Sequence, residues 1–244
     1  MKHKILLRKI RKRFLSISQI LCFIFLTSFS FPQKIKKPSQ TCEYEQKMRQ
    51  QGLVNIQDIN PSILVELKYS TTDNFVGKDV YGCITNCFLQ KYPAEMLSKA
   101  SDLLQQKHPN YRLLVYDGGR PLSIQKVLWN SLTQYSPKQR ATYVANPVEG
   151  SLHNYGSAVD LTIATPDGTP LDMGTKYDFF GALAYPKKEA YFLKIKQLNR
   201  QQVTNRQLLR RVMKSAGYMP IDYEWWHFNA VSRATARATY RIIQ

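Results

Sequence analysis

Apolar and polar positions along the chain fall into short blocks whose spacing predicts both strands and helices. Residues 63–69 (ILVELKY) alternate in period two and predict a strand, and a turn-rich stretch follows from Ser70 to Gly82. Residues 112–117 (RLLVYD) and 157–163 (SAVDLTI) are compact apolar runs of buried-strand length, the first stopped by Gly118 and Gly119. Residues 93–107 place Met96, Leu97, Ala100, Leu103 and Leu104 on one helical face, with Pro93 in the first turn, where its missing N–H costs nothing. A second helix is predicted from about Ser123 to Leu132 around Ile124, Val127 and Leu128. A third covers 203–216, where Thr204 and Gln207 have capping-box spacing and Gly217 suits the left-handed residue past the C-terminus. The aromatic segment 223–229 (YEWWHFN) predicts a last strand. The mixed order predicts an α+β domain, helices packed on one face of a mainly antiparallel sheet.

The first 30 residues have a different pattern. Lys2, Lys4, Arg8, Lys9, Arg11, Lys12 and Arg13 form a basic head without acids, followed by a mostly apolar run from Phe14 to Phe31 and the small-x-small sequence Ser28-Phe29-Ser30. That is the layout of a secretory signal peptide over residues 1–30. An uncleaved anchor is the other reading, since the run approaches the roughly 20 residues that span a bilayer. Either sends the remainder across the inner membrane, to a periplasmic or secreted location, with membrane contact only through this segment. Gln19, Ile20 and Leu21 lack the small residue expected beside a lipidated Cys22. Residues 31–51 are polar and predict a tether, and the domain is expected over 52–244, long enough for one real core.

Composition changes this picture little. The formal charge of +18 falls to +11 once the seven basic residues of the head are removed, and what remains is scattered. No nucleic-acid-reading motif accompanies it, so nucleic acid is excluded as a partner. Cys42, Cys83 and Cys87 lie beyond the leader. An oxidising compartment favours a local Cys83–Cys87 disulfide or free thiols over a metal site, for which no Cys or His cluster is complete. Oligomeric state leaves no signature.

Chemistry concentrates in two segments. Of four histidines, His3 lies in the leader and His108 in a polar turn, leaving His153 and His227. Asp160 sits in the apolar run AVDLTI, where a carboxylate is costly unless paired or bound to metal. His153, Asp160 and His227 can supply the three ligands of a catalytic zinc, and the turn at Gly156 allows His153 to fold back beside Asp160; taken singly, each histidine also reads as an ordinary surface or core residue and Asp160 as the partner of a buried Arg. Glu224 is the candidate base that takes a proton from the attacking water. Residues three apart in a strand face opposite ways, so Glu224 is expected in a turn or bulge at the entrance to the strand of His227. Arg120, after the turn at the end of 112–117, is either an oxyanion donor or the salt-bridge partner of Asp117.

The pattern S-x-H-x-x-G-x-A-x-D at 151–160, followed by E-x-W-H at 224–227, resembles the metallopeptidases that include the D-alanyl-D-alanine dipeptidases (VanX type) and the related D,D-carboxypeptidases. DGGRP at 117–121, Lys68-Tyr69 with Asp73, Asn74, Phe75 and Gly77, and MGTKYDF at 173–179 are similar to dipeptidase segments in the same order. The resemblance implies one zinc ion held by His153, Asp160 and His227, Glu224 as base, Arg120 stabilising the transition state, and Tyr69, Ser151 and Asp178 lining the substrate pocket. Asp178 would hold the free ammonium of a small dipeptide. Gly119 departs from the family's usual Tyr and implies a missing wall at the arginine turn, and FFGALAYP after Asp178 departs from the expected polar cluster. The reading is a zinc dipeptidase for D-Ala-D-Ala or a similar dipeptide in cell-wall turnover or scavenging. Its rivals are a D,D-carboxypeptidase on peptidoglycan stem peptides and an inactive zinc-bearing envelope-binding module.

Overall fold

The structure is a computed structural model that describes residues 42–244; the leader and residues 31–41 of the expected tether lie outside the described residues. In chain order the elements are α1 (Glu43–Gln50), β1 (Val54–Asn55), α2 (Ile56–Ile59), β2 (Leu64–Val65), β3 (Phe88–Leu89), α3 (Lys91–Lys107), β4 (Arg112–Asp117), α4 (Leu122–Ser131), α5 (Pro137–Arg140), β5 (Ala158–Ala164), α6 (Glu189–Lys194), α7 (Arg200–Ala216), β6 (Met219–Pro220), β7 (His227–Asn229) and α8 (Arg233–Thr239). The main sheet has the order β2-β4-β5-β7-β6, with β2 parallel to β4 and every other pair antiparallel. β1 and β3 form a separate antiparallel pair.

The predicted α+β architecture is the observed one. Leu113, Val115, Leu161 and Ile163 point to one face of β4 and β5 and join a core with Leu97, Ala100 and Leu104 of α3 and Leu209, Val212 and Met213 of α7. Each such side chain contributes about 1.5–3 kcal/mol by leaving water. The other face carries Leu114, Tyr116 and Ala164, with Tyr177 packed on them, and it is the face that holds the site. A register shift between Val115 and Asp117 aligns Asp117 with Asp160, and Asp160 in turn aligns with His227. One row across three strands therefore reads Asp117, Asp160, His227. Bulges recur beside active sites because they re-aim a side chain in this way.

Several boundaries differ from expectation. Segment 63–69 is a strand only at Leu64–Val65, because the chain tightens into a 3₁₀ turn at Lys68–Ser70. Segment 223–229 is a strand only at His227–Asn229; Glu224 precedes it in a turn, and Trp225 and Trp226 are both buried. Helix α7 begins one turn before the predicted start, since Asn199 and Gln202 form the capping box in place of Thr204 and Gln207, while Gly217 ends it at φ 107°. Residues 43–50, expected in the tether, are helix α1: Met48 is fully buried, and the Glu45 carboxylate accepts from the backbone of Thr85 and Asn86. Met48 is the one apolar residue α1 buries, so sequence polarity conceals the docking. The local Cys83–Cys87 pairing is also corrected. Cys42 bonds Cys83, fastening α1 to the body, and Cys87 is a buried free thiol.

Candidate active site

The site is assembled from turns and loops gathered around strands β5 and β7. Ser151 caps the 3₁₀ turn Leu152–Tyr155, its Oγ accepting from His153 N at 3.3 Å, while Asn154 completes a capping box. Gly156 closes the turn in the left-handed region at φ 62°, which returns the chain into β5 and brings His153 over Asp160. The arginine turn lies against this one: Arg120 N donates to His153 O at 2.9 Å and Asn154 Nδ2 to Arg120 O at 2.8 Å. The C-terminal segment locks both, with Ile243 N donating to Asn154 O and Leu122 N to Ile243 O, each at 2.8 Å.

His153 Nε2, His227 Nδ1 and Asp160 Oδ1 converge. Their separations are 3.2 Å between the two nitrogens, 3.4 Å from His153 to Asp160 and 2.9 Å from His227 to Asp160. The outward ring nitrogens are committed elsewhere: His153 Nδ1 donates to Gly118 O at 2.8 Å and His227 Nε2 to Asn229 Oδ1 at 2.8 Å. Neutral imidazoles held this way turn lone pairs inward, toward each other and toward a carboxylate oxygen. Such an arrangement is repulsive until a cation enters. Ligand atoms about 2.0–2.1 Å from a tetrahedral zinc lie about 3.3 Å apart, and the three observed edges bracket that value. Asp160 Oδ2 faces away and accepts from Tyr177 Oη at 3.0 Å. Without a metal a proton takes the cation's place: burial works to raise the Asp160 carboxyl, but the charge of protonated His153, followed by hydrogen bonds from both imidazoles, overcomes it and holds the group well below the usual carboxylate range, while Asp160 in turn raises His153 despite its burial.

Glu224 stands in the turn before β7 with Oε2 3.8 Å from His227 Nδ1. Burial pushes its pKa up to about 8, helped by the Asp160 and Asp178 carboxylates. Arg120 is buried, and the salt bridge to Asp117 is present: Nε donates to Asp117 Oδ2 at 3.0 Å, Nη2 donates to the same oxygen, and Nη1 donates to Gln125 Oε1 at 2.8 Å. A guanidinium has five N–H donors, so one hydrogen on each Nη remains for another acceptor. Tyr69 Oη donates to Asp178 Oδ2 at 2.9 Å, leaving Oδ1. Burial, followed by the charge of Asp160, raises the Asp178 carboxyl well above its ordinary range.

All eight residues singled out in the sequence, Tyr69, Arg120, Ser151, His153, Asp160, Asp178, Glu224 and His227, line one cavity of 260 Å³. Pockets for drug-sized ligands run from roughly 300 Å³ upward, so the space suits a smaller molecule. The wall expected to be missing at Gly119 is filled. A Cβ there would lie 2.7 Å from Phe88 O, and Ile243 and Leu53 occupy the room a larger side chain would need. After Asp178, Phe180 stacks on Tyr143 at 4.4 Å and packs against Phe75.

Four supporting residues escaped the sequence reading. Tyr177 and Asn229 orient Asp160 and His227, Tyr81 donates to Asp117 Oδ1, and Arg206, fully buried, donates to Met173 O at 2.6 Å and Leu183 O at 3.0 Å. Arg206 thereby ties both ends of the loop that carries Tyr177 and Asp178. Asp117 enters the sequence analysis only as a partner for Arg120, although an acid closing the apolar run RLLVYD carries the same signal as Asp160.

Residues 49–243 match the profile of the D-ala-D-ala dipeptidase family of peptidases. The chain belongs to that family. It is 33% identical over 183 residues to the D-alanyl-D-alanine dipeptidase of Escherichia coli, covering 75% of this chain and 86% of the relative. The dipeptidase of the same name from Enterococcus faecium is 31% identical, over 72% of this chain and 90% of its own, and that of Enterococcus faecalis 30% identical, over 74% and 92%. Family members are metallopeptidases, and the chain is a metallo-dipeptidase, a hydrolase. His153, Asp160 and His227 are the group of at least three potential ligands found among the described residues, with ligand atoms all within 4.8 Å of one another.

Proposed function

We propose that the chain is an exported, zinc-dependent dipeptidase that hydrolyses D-alanyl-D-alanine and serves cell-wall peptide turnover or scavenging. The observation that carries the metal assignment is the convergence of two inward imidazole lone pairs and one carboxylate oxygen at tetrahedral spacing. Two nitrogens and one oxygen suit zinc, whereas magnesium and calcium favour all-oxygen sets. Export is supported by the basic head and apolar run of the first 30 residues, and by the Cys42–Cys83 disulfide, which fits an oxidising compartment.

Zinc in this centre supplies the Lewis acidity that polarises the scissile carbonyl and lowers the pKa of the attacking water, to about 7 in well-characterised zinc enzymes. The water oxygen adds to the carbonyl carbon while Glu224 takes one of its protons. Glu224 must be ionised to do so, and a cation beside it draws its raised pKa back down. The two Arg120 hydrogens left over from Asp117 and Gln125 hold the developing oxyanion, and the Asp117 bridge fixes their direction. Glu224 then passes the proton to the amide nitrogen as the C–N bond breaks, releasing two molecules of D-alanine. Asp178 Oδ1 receives the substrate ammonium, whose charge offsets the cost of a buried carboxylate. Ser151 and Tyr69 complete a space too small for a longer peptide.

Glu224→Gln separates base from ligand. The variant is expected to bind one zinc per chain like the wild type while kcat falls at least a hundredfold, in line with the ~10²–10⁴-fold contribution of general bases. Loss of zinc together with activity, by metal analysis, would reassign Glu224 to the metal.

A further inference from the structure

A dipeptide carries a carboxylate as well as an ammonium, and a cavity that takes it out of water must answer that charge too. The lining of the 260 Å³ cavity has three carboxylates, Asp160, Asp178 and Glu224, and two guanidinium groups, Arg120 and Arg233, with no lysine. A larger cavity of 700 Å³ on the same sheet face shares only Asp178 with it, and the lysines there, Lys68 and Lys176, are not in the lining of the smaller space. Arg120 is committed to Asp117 and Gln125. Arg233 forms no ion pair among the described residues.

One nitrogen fixes Arg233 on α8 at the exposed rim. Its Nη1 donates to Gly150 O at 2.7 Å and to Glu149 O at 3.4 Å, and Arg237, one turn on, donates to the same Glu149 O at 3.1 Å. A guanidinium has five N–H hydrogens, so the one on Nε and the pair on Nη2 keep no acceptor among the described residues. Next after Gly150 comes Ser151, whose Oγ accepts from His153 N at 3.3 Å and has its own hydrogen left to give. A cation and a hydroxyl, each with spare donors, thus meet at one corner of the cavity. That is the donor set a carboxylate takes.

We infer that Arg233, with Ser151 beside it, is the counter-ion of the substrate carboxylate and makes the site selective for a free carboxyl end. The inference rests on the dipeptidase reading and goes beyond it, since that reading leaves the carboxylate without a partner. A guanidinium already held by backbone carbonyls loses little freedom on binding. Arg233 touches substrate away from the reacting atoms, so it binds ground and transition states alike and acts on KM rather than kcat.

D-Ala-D-Ala and D-Ala-D-Ala amide differ at that charge alone. Cleavage of the bond between the two residues is measured for zinc-loaded full chains of wild type, Arg233→Gln and Arg233→Lys, with zinc content and Tm as controls. Wild type is expected to prefer the free acid by about tenfold or more in kcat/KM. Arg233→Gln is expected to lose about tenfold or more on the free acid, through KM, while staying within about twofold of wild type on the amide; Arg233→Lys is expected to recover part of the loss. Equal turnover of acid and amide by the wild type, an unchanged preference in Arg233→Gln, or an equal loss on both substrates would overturn the inference and leave the dipeptidase reading standing. In the last case Arg233 only holds the Glu149–Gly150 corner. A wild type inert on both would overturn the reading on which the inference rests.

Discussion

Tyr177→Phe removes one hydroxyl and leaves a ring held by three neighbours: Tyr69, Tyr116 and Trp226, at centroid distances of 6.1, 5.3 and 5.5 Å. The fold should survive. What disappears is the 3.0 Å bond that fixes Asp160 Oδ2 while Oδ1 faces the imidazoles. A hydrogen bond to a charged acceptor contributes about 1.5–3 kcal/mol. At about 1.4 kcal/mol per factor of ten, that is roughly ten- to a hundredfold in metal affinity where the bond contributes only once Oδ1 is held by the metal; whatever it contributes without metal appears in the metal-free Tm instead. Loss of other outer partners of metal ligands has cost about 10–100-fold, the same range. The assay is zinc affinity of the full chain by competition with a chromophoric chelator, beside a thermal melt of the metal-free protein. The expected result is a zinc Kd raised ten- to a hundredfold with the metal-free Tm within about 4 °C of wild type, the shift that ~1 kcal/mol gives at this size. A folded variant whose zinc Kd stays within about twofold would refute the claim that Tyr177 orients the ligand.

Two further predictions concern stability. Glu224 is raised to about 8 from 4.5 by burial, so between those values the metal-free folded chain retains a proton that the unfolded chain has lost, and stability falls as pH rises. Glu224→Gln has no such proton to lose: in urea unfolding without metal it should gain on wild type by ~1–3 kcal/mol between about pH 5 and pH 8, and a pH-independent difference would contradict the assignment. Cys83→Ser opens a loop closed across a sequence separation of 41 residues, for which loop entropy sets a loss of up to about 4 kcal/mol; an unchanged urea midpoint under oxidising conditions would show that the bond carries no stability.

Much of the site was legible because its signals are local and costly. Asp160 stands out as a carboxylate in an apolar run, His153 and His227 because histidine is scarce, and Glu224 because it lies close to His227 without being one of the three ligands; strand parity would aim it away, and the strand starts only at His227. The long apolar runs gave β4, β5 and α3 nearly to the residue for the same reason. What stayed hidden depends on distant parts of the chain. Tyr177 meets Asp160, and Arg206 meets Met173 and Leu183, only after the loop folds over the sheet. Cys42 finds Cys83 only because Met48 docks helix α1. The division of one sheet face into two cavities rests on Tyr69 and on the adjacent Tyr177 and Asp178, two segments that meet only in the fold.

The central claim, a zinc centre that cleaves a dipeptide with a free amino end, is tested most directly by one set of kinetics. Hydrolysis of D-Ala-D-Ala and of N-acetyl-D-Ala-D-Ala is followed on the full chain as isolated, after chelation, and after one equivalent of zinc is restored. The account predicts turnover of the free dipeptide at least a hundredfold above the acylated one, its loss on chelation and its return with zinc. Activity that survives chelation, or preference for the acylated substrate, would contradict it.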